Sequence, residues 1–235
     1  MAQAPSQDDI DQFVTAARDG DTPAVTGWLD RFGKEYIDAE NADGQRALSQ
    51  AAYYQHTDAA LALIDRGADV CWRGNGPGIY SPLICAASQG APVVARALLE
   101  LGADVNEALP GCGLTSLHYA VMNGHADIAR MLLAYGADIN AKSGTGWDVR
   151  MPLHEIYAER GKPGSEAVRQ WKESDRDAWF QAQGAYDPGA WKSIRARLAQ
   201  REFEREAQFL TEGLAKPMRL SPKITFKANG AASCP

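Results

Sequence analysis

The sequence predicts an all-α solenoid: helix–turn–helix units stacked side by side, short fingers between the units, and capping helices at the carboxy-terminal end. Three observations carry this expectation. The tripeptide Gly-Ala-Asp recurs at Gly67, Gly102 and Gly136, at intervals of 35 and 34 residues. A second shared string precedes each copy by similar distances: Arg46-Ala-Leu-Ser-Gln-Ala-Ala52, Ser81-Pro-Leu-Ile-Cys-Ala-Ala87 and Thr115-Ser-Leu-His-Tyr-Ala-Val121, with a further start at Met151-Pro-Leu-His154. Two different strings kept in one register are the mark of a tandem repeat. The hydrophobic fraction of 45% over 235 residues then supplies enough apolar surface for a core and excludes a fully disordered chain.

In chain order, the first unit occupies about residues 8–40. It keeps Phe13, Ala16, Ala17, Gly20, Trp28 and Leu29 but lacks the Gly-Ala-Asp close, and its charges Asp8, Asp9, Asp11 and Arg18 suit an outward-facing cap. Asp43-Gly44 opens the second unit. In the third, Ser81 can cap the first helix and Pro82 fits the first helical position, where no N–H is needed. Leu83, Ala86 and Ala87 share one face, and Gly90 ends the helix by supplying a left-handed backbone state. Val94, Ala97, Leu98 and Leu99 line the second helix, closed by Gly102. The fourth unit repeats this plan with Thr115, Gly124, then Ile128, Met131, Leu132 and Leu133, closed by Gly136. No single unit can bury its apolar face, so stacking with neighbours is obligatory. A fifth unit begins at Met151, but its Gly161 falls one residue late. Connections lengthen at Gly74-Asn75, at Leu109 and within residues 143–150. Such insertions mark a working face or simply the tolerance of surface loops.

The pattern resembles the ankyrin repeat, whose consensus joins Asp-Gly-x-Thr-Pro-Leu-His-x-Ala-Ala to Leu-Leu-Leu-x-x-Gly-Ala-Asp-Val-Asn. The resemblance covers about residues 8–160 and is close throughout residues 114–140. The expected organisation is an array of about five units over residues 1–160, the outer two degenerate, a helical cap over 161–213 and a basic, extended tail over 214–235. The resemblance implies that His118 and His154 brace neighbouring turns by hydrogen bonds. It also implies that a partner protein meets the concave side and the finger tips. Carried onto this chain, those positions are Asp43, Gln45, Tyr53, Tyr54, Trp72 and Arg73 in unit two, Tyr80 and Gln89 in unit three, and Leu114, Met122 and Asn123 in unit four. The next finger adds Trp147, Asp148 and Arg150. This set is rich in stiff, part-polar aromatics, which dominate interface energetics. Either a partner covers them, or the chain's own last third does.

The sequence carries little sign of chemistry. His154-Glu155 opens like a zinc-protease helix, but Ala158 stands where a second imidazole is required. Gly74-Asn-Gly-Pro-Gly78 lacks the flanking strand and the Lys of a phosphate loop. The four cysteines are irregularly spaced, and Cys85 reads as a small apolar group. We therefore expect no catalytic residues, no metal and no cofactor. No apolar run reaches the length of a membrane span, and no secretory leader is visible, so the expected compartment is the cytoplasm. The net charge of −6 argues against nucleic acid as partner. The first 212 residues hold 20 basic and 30 acidic groups, or −10, while the remainder contributes +4, so a basic protein is the favoured partner. Alone, the chain is expected to be a monomer. The function expected is binding of another protein. A narrower alternative is an inhibitor or immunity-type protein that occludes a cognate enzyme or toxin, and a third is a carboxy-terminal ligand-binding region addressed by the repeats.

Residues 162–186, with Trp171, Trp179 and Phe180, read as moderately helical, and Asp187-Pro-Gly189 as a turn. Over 190–213, Trp191, Ile194, Leu198, Phe203 and Leu210 form an approximate stripe suited to docking on the open end of the stack or to a separate interaction. Deleting residues 187–235 is expected to lower the melting temperature, by about 2–4 °C for each kcal/mol of docking lost. An unchanged melting temperature would make that segment independent of the stack.

Overall fold

The computed structural model of the chain describes residues 4–74, 79–144, 170–172 and 175–182. Four helix pairs follow one another: α1 (Gln7–Asp19) with α2 (Thr22–Phe32), α3 (Ala47–Tyr53) with α4 (Thr57–Arg66), α5 (Pro82–Gln89) with α6 (Pro92–Glu100), and α7 (Ser116–Asn123) with α8 (Ala126–Ala134). A single 3-10 turn, Lys34–Tyr36, follows α2, and a last described helix, α9 (Asp175–Ala182), packs on α8. The first helices α1, α3, α5 and α7 pack in sequence as one layer, and α2, α4, α6 and α8 form the second. Contact within the first layer is the closer, because its facing positions are small: Ala51, Ala52, Ala86, Ala87 and Ala120 are all fully buried. The closer layer is the concave side.

Sequence dictates the helix ends. Ser6 and Asp9 form a capping box, with the Asp9 N–H donating to Ser6 Oγ at 3.2 Å and the Ser6 N–H to Asp9 Oδ2 at 2.9 Å. Asp21 caps α2 by accepting from the Ala24 N–H at 2.9 Å. Ser81 accepts from the Ile84 N–H at 3.4 Å, with Pro82 behind it, and His118 Nδ1 accepts the Thr115 N–H at 3.1 Å. The imidazole therefore braces the start of its own helix, as the resemblance implies for His118. The other such ring, His154, lies outside the described residues.

Gly20, Gly90 and Gly124 end first helices at φ of +77°, +81° and +81°. Unit two departs from this rule. Gln55 takes the equivalent place at φ +62°, a state that a side chain makes costly. Its side chain supplies a compensating tie, since Gln55 Nε2 donates to the Gln89 carbonyl of the next unit at 2.7 Å. The remaining histidines also work between units. A Cβ on Gly20 would lie 2.4 Å from the His56 ring, and one on Gly90 2.6 Å from that of His125.

The core runs unbroken through the stack, from Phe13, Val25 and Leu29 through Leu63, Ile64, Leu83 and Leu98 to Leu117, Ile128 and Leu132. Phe13 stacks on Trp28 at 4.3 Å and helps seal the first unit. Along the finger edge the units are tied by polar groups. Asp11 accepts from the Ala42 N–H at 2.9 Å, Asp38 from the Asp69 N–H at 2.9 Å, and Asn106 from the Asp138 N–H at 2.7 Å. Asp9 and Asp11, expected as outward charges of a cap, are thus a helix cap and an inter-unit bridge. The finger before α7 is tight: the Leu109 N–H meets the Leu114 carbonyl at 2.9 Å, and Gly111 and Gly113 carry φ of +85° and +67°.

Of the last third, α9 lies against the second-layer helix α8. Trp179 meets the Tyr135 ring edge-on at 6.3 Å, and Trp171 also packs against the core. The fifth unit, the expected helix over 190–213 and the basic tail lie outside the described residues.

Two glycine substitutions should act with opposite sign. Gly90→Ala forces a Cβ into the left-handed region and against His125, and should destabilise by about 1–3 kcal/mol. Gly27→Ala, exposed inside α2 with nothing within 4 Å, should stabilise by about 0.5–1 kcal/mol. Urea unfolding of both variants measures the pair.

Candidate functional site

Where α3 and α5 stand side by side, the concave layer opens into a groove of about 320 Å³, lined by Gln45, Ser49, Gln50, Tyr53, Tyr54, Trp72, Ile79, Tyr80 and Cys85. A second, more polar hollow of about 200 Å³ adjoins it, lined by Asp11, Thr15, Arg18, Asn41, Asp43 and others, and it shares Gln45 and Gln50 with the first. The two hollows lie side by side across units one to three. Helix geometry creates the larger part. Tyr53 and Tyr54 close α3 and meet edge-on at 5.2 Å, while Tyr80 precedes α5 and tilts against Tyr119 at 5.8 Å.

Five of the positions expected to face a partner are gathered here: Gln45, Tyr53, Tyr54, Trp72 and Tyr80. Asp43 lines the adjoining hollow. Tyr54 stands out at 49% exposed. Trp72, expected as an exposed finger-tip contact, is instead 7% exposed. The Arg46 guanidinium lies 4.7 Å above its ring, held in turn by Glu40 at 3.1 Å and Asp69 at 3.8 Å, so the indole is a wall of the groove and not a projecting anchor. Arg73 pairs with Asp104 at 2.8 Å, which ties two successive fingers.

Toward unit four the expected residues have other duties. Leu114 and Met122 are half-buried and packed against the core. Asn123 donates its side-chain amide to the Ser88 carbonyl at 2.7 Å, so this group binds the neighbouring unit. Gln89 is half-buried, and its carbonyl receives Gln55. Trp147, Asp148 and Arg150 lie outside the described residues. Conversely, Ser49, Gln50, Ile79 and Cys85 line the groove without having been marked as contacts. The signal was present in the repeat alignment: the positions of Ser49 and Cys85 are those of His118 and Tyr119 in unit four, so smaller side chains stand where larger ones fill space.

The electrostatics favour recognition over reaction. Burial, with Glu107 nearby, pushes the Cys85 thiol well above its ordinary range, which makes it a poor nucleophile. Burial, then the hydrogen bond with Tyr80, raises the Tyr119 hydroxyl as well. Among the described residues no cluster of three His, Cys, Asp or Glu side chains could hold a metal ion. Glu107, 7% exposed in the finger after unit three, has its carboxyl raised chiefly by burial, against the opposing hydrogen bond from Ser81 and the charge of Arg73.

Because Glu107 binds its proton more tightly folded than unfolded, its contribution to stability is fully present below the unfolded carboxyl range. It is lost as pH rises through the raised folded value. Glu107→Gln should therefore flatten the fall in stability above about pH 4.5, leaving the variant at least as stable as the parent at pH 7. Urea midpoints measured from pH 4 to pH 8 provide the check. A variant whose stability falls as steeply as the parent's would contradict the assignment.

A family model described as Ankyrin repeats (3 copies) matches residues 71–143. Protein phosphatase 1 regulatory subunit 27 of Mus musculus is 39% identical over 96 residues, covering 41% of this chain and 60% of that protein. The match thus spans less than two thirds of the relative's length. Among the described residues no helix is long and apolar enough to cross a membrane. Repeat spacing, helix pairing and the family match agree that the chain carries ankyrin repeats over residues 71–143.

Proposed function

We propose that this protein binds a partner protein through the concave face of its repeat stack, with the groove between α3 and α5 as the centre of contact. The carrying observation is the collection of Tyr53, Tyr54, Tyr80 and the Trp72 wall around one opening on the closer-packed layer. Aromatic side chains with polar tips bury much area while losing little rotamer freedom. The stack holds them preformed, so docking costs little ordering. The organisation that goes with this reading is an array over residues 1–160, a helical cap over 161–213 and a basic tail over 214–235. The seat of α9 on the second-layer helix α8 supports a capping role for this region and keeps that part of it off the groove.

A narrower reading has one observation in its favour. The relative that this chain resembles is named a regulatory subunit of a phosphatase, and the match is 39% over 96 residues. On that ground we propose that the partner is an enzyme, regulated by occlusion or positioning, and that this chain contributes binding and no catalysis.

Site-specific photocross-linking tests the docking face. Tyr54→p-benzoylphenylalanine, at the groove, should yield a discrete higher-mass adduct in the native cell. Val93→p-benzoylphenylalanine, 53% exposed on α6 of the second layer, should not. Tyr54→Ala should leave unfolding stability within about 0.5 kcal/mol, as an exposed substitution does, and yet compete poorly for the adduct partner. Adducts from position 93 alone would place binding on the opposite face and overturn the proposal.

A further inference from the structure

The groove has a chemical selectivity that can be read from the repeat register. Ser49, Ile84 and His118 are equivalent positions, and so are Gln50, Cys85 and Tyr119. In unit four the large pair fills its space: His118 turns back to accept the Thr115 N–H, and Tyr119 reaches the Tyr80 ring. At the junction of units two and three, Ser49 and Cys85 stand at these places, and both line the groove. The opening is therefore the volume that two shortened side chains leave. Ser49 is 3% exposed, and its Oγ has no hydrogen-bond partner among the described residues. A buried hydroxyl without a partner carries a desolvation cost that a bound donor would relieve.

We infer that this groove receives an arginine side chain from a basic segment of the partner protein, a conclusion that rests on the protein-binding reading above. The walls are made by the rings of Tyr53, Tyr54, Tyr80 and Trp72 and by the oxygen-bearing side chains of Gln45, Gln50 and Ser49; Arg46 already covers one face of the Trp72 ring, so the tyrosine rings are those offered to a ligand. Ring faces and acceptors together attract a cation. The arginines beside the groove do not compete for that role, since Arg46 is paired with Glu40 and Asp69, Arg73 with Asp104, and Arg18 of the adjoining hollow with Asp19. The first 212 residues carry −10, and Asp43 stands in the adjoining hollow, so the surroundings complement a positive segment. The same wall already uses this chemistry: the Arg46 guanidinium lies over the Trp72 ring at 4.7 Å. A planar guanidinium can lie on a ring face and donate to several oxygens at once, whereas an ammonium is a compact, strongly hydrated charge. A carboxylate would be repelled by Asp11 and Asp43 of the adjoining hollow, and an aliphatic side chain would leave Ser49 unpaired.

The test uses the full chain and four short peptides of Gly and Ser that differ only at a central residue: arginine, citrulline, lysine or leucine. Binding is followed by NMR through the backbone amides of residues 49 and 80. The arginine peptide should give saturable shifts, with citrulline, its neutral counterpart of similar shape, about five-fold weaker, the worth of a partly desolvated cation–ring contact. Lysine should fall between them. Ser49→His, which refills the space as unit four does, should abolish the shifts with an unchanged or higher melting temperature. Tyr54→Ala, at an exposed position, should weaken them if the first variant folds poorly. Equal binding of arginine and citrulline, tightest binding of leucine, or full binding by Ser49→His would each overturn the arginine assignment. A groove-directed adduct at position 54 would still uphold protein binding under any of those results, so the two readings fail separately.

Discussion

Close approach of the first helices through small side chains is the constraint on which the rest depends. Helix α3 packs on α5 and α5 on α7, and the small residues Ala51 and Ala52, Ala86 and Ala87, and Ala120 and Val121 of these helices are all fully buried. Larger residues there would separate neighbouring units and open the seam to water. The second layer carries the bulkier Leu63, Ile64, Leu98 and Leu132 and spaces its helices more widely. This difference between the layers makes one side concave. Stability in such an arrangement is close to a sum of unit and nearest-neighbour terms. Each seam must therefore be satisfied locally, and each carries its own polar ties.

Those ties explain where binding surface is left over. At the junction of units three and four, Asn123 and His125 both approach the Ser88 carbonyl, at 2.7 and 3.2 Å. Polar reach at that seam is consumed by bracing. At the junction of units two and three the tie is made by Gln55 to the Gln89 carbonyl, and Tyr54 beside it stays exposed. The left-handed backbone at Gln55 is consistent with this division of labour: the strain sits at the unit that carries the groove, where its side chain bridges the seam.

Charge is arranged on the same principle. Arg46, Arg66 and Arg73 each pair with a carboxylate on a finger or neighbouring helix, Arg46 across 3.1 Å, Arg66 across 2.7 Å and Arg73 across 2.8 Å. Exposed pairs of this kind add little stability individually. The Arg46 and Arg73 pairs offset positive charge along the fingers and tie them together, while the Arg66–Asp30 pair joins α4 to α2 in the second layer. What lines the two hollows is largely aromatic, amide and acidic, and the one arginine among the lining residues, Arg18, is paired with Asp19.

The helix pairs, their order, the cap at Ser81 and the left-handed glycines were all legible in the amino-acid sequence, because each depends on contacts within a unit or with the next copy of it. A repeat reports such contacts several times over. Tertiary structure alone decided which candidate contacts were open. Trp72 and Asn123 were both expected as partner contacts, but folding of unit two lays Arg46 over the Trp72 ring, and the neighbouring unit sets the Ser88 carbonyl against Asn123. Ser49 drew no attention because a short side chain in one unit has no visible consequence. It becomes a groove only when the adjacent unit places Cys85, Tyr80 and Ile79 around the vacated space. Local propensity and register belong to the chain, whereas exposure belongs to the sum of neighbours, and that sum exists only after the units have stacked.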